Sequence, residues 1–162
     1  MSLKDYANTS LNSAINDAAQ WRMRADTAIA DFQNDFMQRI KGMVDWHNAH
    51  EPAGKNRKHR LTTENPSNYT NSIPLIKIRY NRNDPYHTNR PYYQTSLDTS
   101  HDTYDSYVIW VNNEAEAEYC KEQIIRFLQN EGLTIIKIRS RDSGIIFKSK
   151  EGGYIIRYYL EW

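Results

Sequence analysis

SYVIWVNNEAEAEYCKEQIIRFLQNEGLTIIKIRSRDSGIIFKSKEGGYIIRYYLEW, residues 106–162, reads as a strand, a helix and three further strands. Tyr107 to Val111 is a short run of β-branched and aromatic residues, the composition of a strand. Asn112-Asn113 ends it and supplies a helix cap. Glu114, Glu116 and Glu118 follow, where negative charge suits the positive end of a helix dipole. A helix from Glu114 to about Asn130 then presents Ala117, Cys120 or Lys121, Ile124, Ile125 and Leu128 as an apolar stripe, widened by Phe127. Gly132 sits just past its end. Leu133 to Ser140, Ile145 to Lys150 and Tyr154 to Trp162 are the next strands. Asp142-Ser143-Gly144 and Glu151-Gly152-Gly153 are turn chemistry, so both connections read as hairpins. The order is β-α-β-β-β, closed by an antiparallel meander.

Side chains alternate faces along a strand, which sorts these residues into two sets. Ile109, Ile136, Ile138, Ile145, Phe147, Ile156, Tyr158 and Leu160 form an apolar face for the helix to cover. Trp110, Lys137, Arg139, Lys148, Arg157 and Tyr159 fall on the other side, cationic with aromatics set among the charges. Upstream, Pro74 to Tyr80 is one more strand. It splits the same way, with Ile76, Ile78 and Tyr80 against Leu75, Lys77 and Arg79. If it joins the sheet, Lys77 and Arg79 extend the cationic surface.

Ser10 to about His50 reads as one long helix. Leu11, Ile15, Ala18, Ala25, Ile29, Phe32, Phe36, Ile40, Met43 and Val44 recur at spacings of three and four, and no proline occurs before Pro52. About 40 residues at 1.5 Å each span roughly 60 Å, against ~17–20 Å for a typical strand. The helix therefore overhangs the sheet, breaks near Gly42, or packs on another chain. Glu51 to Ser72 holds Pro52, Gly54 and Pro66 with few apolar anchors, the composition of a linker or mobile loop. Within it, Lys55, Arg57, Lys58 and Arg60 form a basic run that suits a phosphate-contacting arm. Asn81 to Asp105 is a long polar connection in which Arg90, Tyr92 and Tyr93 suit recognition of a partner surface. The chain thus divides into a helix over 1–50, a linker over 51–73 and an α+β sheet unit over 74–162. The fold class is α+β: a single antiparallel sheet of about five strands, with the helices on one face.

The formal charge of +1 excludes a global field that would draw in nucleic acid or an anionic membrane, so electrostatic recognition falls to local patches. One cysteine, Cys120, excludes an internal disulfide and falls near the apolar stripe, where a buried thiol is expected. No apolar run approaches the ~20 residues of a membrane span. The asparagine-glycosylation patterns at Asn8 and Asn68 come without a signal peptide. A soluble cytoplasmic protein is expected. No phosphate-binding glycine loop, HExxH, paired CxxC or GxSxG stands in the chain. Asp84, His87, His101, Asp102 and Asp105 are the best divalent-metal constellation, but their spacing fits no helix or strand face. His47 and His50, three apart at a helix end, suit the negative end of its dipole.

A helix layer, a sheet and a cationic aromatic face are loosely similar to RNA-recognition modules, although the glycine- and aromatic-rich signature run of those modules is missing and the strand order differs. In texture, rich in Asn, Tyr, Ile and Lys, the chain resembles small standalone proteins of phages and mobile elements. Many of those bind and block host machinery, including nucleic-acid-handling defence complexes. That resemblance implies an inhibitor acting in a host cytoplasm. The reading is a non-enzymatic binding protein, without cofactor, metal or small-molecule substrate, that occupies a surface on nucleic acid or on a protein complex handling it. The alternative is an assembly protein that oligomerises through the long helix. A metal-dependent nuclease comes third.

Overall fold

The computed structural model describes residues 1–50, 59–64, 71–80, 93–96, 106–140 and 153–162. In chain order the elements are α1 (Leu3–His50), β1 (Arg60–Thr62), β2 (Leu75–Tyr80), β3 (Tyr93–Ser96), β4 (Ser106–Val111), α2 (Glu114–Asn130), β5 (Thr134–Ser140) and β6 (Gly153–Glu161).

Both ends of α2 follow from local chemistry. The Asn113 side chain accepts a hydrogen bond from the Glu116 backbone N–H at 2.8 Å, and its amide donates to the Glu116 carboxylate at 3.2 Å. This satisfies an amide that the first helical turn would leave open. At the other end Gly132 takes φ of 84°, while the N–H groups of Gly132 and Leu133 return to the carbonyls of Gln129 and Leu128. That is the closing pattern a left-handed glycine permits. Tyr119 donates to Asp26 of α1 and Tyr154 donates to Glu118, so α2 is tied to α1 on one side and to β6 on the other.

Glu116 is 1% exposed, and its Oε1 has no hydrogen-bond partner among the described residues. Burial pushes its carboxyl pKa up, against the lowering effects of the Asn112 backbone and of Arg24. A carboxyl with a raised folded-state pKa adds stability that is full below its unfolded value and is lost as pH rises through the folded one. Glu116→Gln keeps an acceptor for Asn113 and removes the charge. It should raise the urea midpoint at pH 7 and leave it unchanged below about pH 4. Equal midpoints at pH 7 would show that the carboxylate is not held at a cost.

Among the described residues six strands make one sheet, with β1-β6-β2-β4-β3 on one path and β5 on the other side of β6. The sheet is mixed, which corrects the antiparallel expectation: β2 and β4 are parallel, from Leu75 opposite Ser106 to Tyr80 opposite Val111. A parallel pair needs a long crossover, and the 81–105 connection is long enough to provide one. That connection also contributes β3, antiparallel to β4. Within residues 51–73, β1 pairs antiparallel with the end of β6. Thr63 secures β1 there, accepting from the Tyr158 N–H at 3.1 Å and donating to the Tyr158 carbonyl at 3.3 Å.

The apolar face of the sheet and both helices share one core. Ile76, Ile78, Tyr107, Ile109, Ile156 and Tyr158 join Ile29, Phe32, Phe36 and Ile40 of α1 and Ala117, Cys120, Ile124 and Leu128 of α2. Leu160 packs against it half-buried. Tyr158, fully buried, donates its hydroxyl to the Pro74 carbonyl. Two residues expected in this core are not in it: Ile136 and Ile138 are 36% and 39% exposed. The ladder slips between Ile135 and Lys137, so Ile136 is an extra, bulged residue. Ile138 stands opposite Ile156, on the core side, but β5 lies outside β6, where cover is thin. Ile145 and Phe147 lie outside the described residues.

α1 runs unbroken through Gly42, and its buried residues begin at Ala25. Its start is capped by Ser2, whose hydroxyl accepts from the Asp5 N–H at 3.1 Å. Its other end is tied to the carboxy terminus. Trp162 donates to Asn48 at 3.0 Å, exchanges backbone hydrogen bonds with His59, and stacks on the His59 ring at 4.9 Å. No helix among the described residues is long and apolar enough to cross a membrane.

Candidate binding face

β6 carries the centre of the face opposite the helices. Residues paired across a ladder project to the same side, so the registers give its rows directly. Arg139, Ile155, Lys77 and Val108 form one row across β5, β6, β2 and β4. Lys137 stands opposite Arg157. Trp110, Arg79 and Gly153 form a third row. Thr134, Tyr159 and Thr62 form a fourth, and Arg60 stands opposite Glu161. Lys77, Arg79, Trp110, Lys137, Arg139, Arg157 and Tyr159 therefore share one side.

Burial divides that side in two. Lys137, Arg139 and Arg60 are exposed, and Arg157 and Tyr159 are half-buried. The β2–β4 part is more enclosed: Leu75, Ser106 and Val108 are buried, and Lys77, Arg79 and Trp110 are half-buried. With three strand spacings of ~4.8 Å and a register offset of four residues at ~3.3 Å each, Lys137 and Trp110 are roughly 20 Å apart. The accessible cations thus gather on β5, β6 and β1. Arg60 lies over the Tyr159 ring at 4.3 Å, a cation–π contact that fixes the guanidinium on this face.

Arg60, expected in a basic arm with Lys55, Arg57 and Lys58, lies instead in β1, opposite Glu161 on the sheet. Only the β-branched Thr62-Thr63 beside Leu61 hinted at a strand there. Tyr93, assigned to a loop, is the first residue of β3, opposite Ile109. Lys55, Arg57, Lys58, Arg90, Tyr92 and Lys148 lie outside the described residues, as do Asp84, His87, His101, Asp102 and Asp105.

Among the described residues, Cys120 and His47 sit in packed surroundings. Cys120 is fully buried, and burial, helped by Glu116 and Asp26, pushes its thiol up to about 12, so it is a protonated core group at neutral pH. His50 donates from Nδ1 to the Trp46 carbonyl at 2.8 Å and stacks on the Trp46 ring, while buried His47 packs edge-on to Trp162. Among the described residues no group of three or more His, Cys, Asp or Glu side chains is placed to hold a metal ion. An apolar cleft of about 270 Å³ lies between α1 and the α2–β5 turn, lined by Phe36, Ile40, Val44, Leu133 and Leu160 with Lys41, Asp45 and Glu131. It falls below the ~300–1,000 Å³ of ordinary small-molecule sites. No known protein family, curated protein or solved structure matches this chain.

Proposed function

We propose that this protein is a non-enzymatic binding protein that holds an anionic polymer, nucleic-acid phosphate foremost, on the β5–β6–β1 side of its sheet. The observation that carries the reading is Lys137 directly opposite Arg157, with Arg139 two residues along the same exposed strand. Like charges facing each other across a ladder are destabilising. A sheet that needed only a polar outer face would do better with alternating signs. An anionic chain laid along β5 removes the repulsion and turns it into binding energy. Tyr159, beside these cations and topped by Arg60, adds a ring on which a base can stack. With a net charge of +1, attraction is confined to this patch, so binding should be moderate and strongly salt-dependent.

The test is a Lys137→Gln, Arg139→Gln, Arg157→Gln variant, titrated by fluorescence anisotropy against single- and double-stranded oligonucleotides at several salt concentrations. Each lost phosphate contact should flatten the log–log salt slope by about one unit, so a fall of roughly two to three is expected. The urea midpoint should hold or rise slightly, because the facing like charges are gone. A folded variant that binds as tightly as wild type overturns the reading. So does a wild type that ignores both oligonucleotides; an acidic surface on a nucleic-acid-handling complex then becomes the better candidate for the same face.

A further inference from the structure

We propose that the projecting first part of α1 pairs antiparallel with the same segment of a second copy of this chain. At 1.5 Å per residue α1 is about 72 Å long. Nothing before Trp21 is even half-buried among the described side chains: Leu3 is 88% exposed, Tyr6 64%, Leu11 58% and Ile15 57%. Roughly 27 Å of helix therefore stands clear of the body.

That segment does not hold itself together. Asn8, Thr9, Ser10, Asn12, Ser13 and Asn16 are among the weaker helix formers. Continuing a helix through such residues gains little per residue, so without packing the segment frays from its free end. Helical structure there calls for packing on an apolar face, and such a face is present. Leu3, Ala7, Leu11, Ala14 and Ile15 share the helical phase of Ala25, Phe32 and Phe36, the residues that bury against α2 and the sheet. The core stripe continues past the end of the core.

The body itself selects the occupant and its direction. From Trp21 onward this face of α1 is taken by α2, beginning with the edge-to-face pair of Trp21 and Tyr119 at 5.7 Å. A parallel partner would bring two such bodies between helices that must approach to ~8–10 Å, and they collide. An antiparallel partner runs from this root out past the tip, so its own body lies beyond the free end. Its tip stops where α2 begins. The pair is two-fold symmetric and self-complementary, with Leu11 and Ile15 near the crossing. Lys4, Asp5 and Asp17 are the only charged side chains over residues 3–20, so charge opposes the pairing little. A contact ~27 Å long and one helix face wide, with the tips against the partner's Trp21–Tyr119 edge, buries on the order of 1,000 Å². That sits at the lower limit for a specific interface and calls for a micromolar dimer.

Sedimentation velocity on the full chain, from about 1 to 100 µM, should show a monomer–dimer equilibrium in that range. Leu11→Asp with Ile15→Asp should weaken it at least ten-fold without moving the urea midpoint, since both side chains are exposed in the monomer. Direction is read from Ser2→Cys carrying a nitroxide, Cys120 being buried. Tips of an antiparallel pair should be ~30 Å or more apart, and those of a parallel pair about 10–15 Å. A monomer throughout the range, a dimer unmoved by the double aspartate, or the short spin–spin distance would each overturn the proposal.

Discussion

Gly153→Ala should cost more than about 3 kcal/mol, a large share of the stability of a protein this size. Gly153 has φ of 127°, and a Cβ built on it would lie 1.9 Å from the carbonyl oxygen of Ile78. The obstacle is backbone of the paired strand, where Arg79 stands opposite Gly153, and it cannot swing aside as a side chain end can. The substitution must break the β2–β6 ladder at this point or displace the start of β6, whose Ile156 and Tyr158 are fully buried. Gly132→Ala is the control. Gly132 also has positive φ, 84°, but nothing lies within 4 Å of its Cβ position, so it should cost only about 1–2 kcal/mol of backbone strain. Urea unfolding of the two variants measures both. A Gly153→Ala midpoint equal to wild type would mean that β6 does not enter the sheet against Ile78.

Phe36→Ala should cost about 3–5 kcal/mol. Phe36 is fully buried and its ring lies 5.5–6.0 Å from those of Phe32, Tyr107, Phe127 and Tyr158. One side chain thus joins α1, α2, β4 and β6, and its removal leaves a cavity that four elements would have to move to close. Ile138→Ala removes aliphatic surface from a strand that reads as core by alternation. Because Ile138 is 39% exposed, it should cost less than about 1 kcal/mol. Denaturant midpoints separate the two cases. Comparable losses would mean that β5 is packed as tightly as the centre of the sheet.

The helices were legible in the sequence because their determinants are local. Asn113, Glu116 and Gly132 act through hydrogen bonds that reach three to five residues, and the stripes on α1 and α2 need only the 3.6-residue period. Strand alternation likewise placed Lys77, Arg79, Trp110, Lys137, Arg139, Arg157 and Tyr159 on one side before any strand order was known, because alternation survives whichever strand becomes the neighbour. What the sequence could not decide was pairing. A backbone ladder accepts parallel or antiparallel neighbours with little regard to side-chain pattern, so alternation within β2 and β4 left their parallel pairing open. A single bulge after Ile135 displaced Ile136 from a face that alternation alone assigned it. Arg60 became part of the candidate site only because β1 pairs with the far end of the chain, opposite Glu161. Contacts that span a hundred residues leave no trace in a window of ten, and they decided which cations stand together.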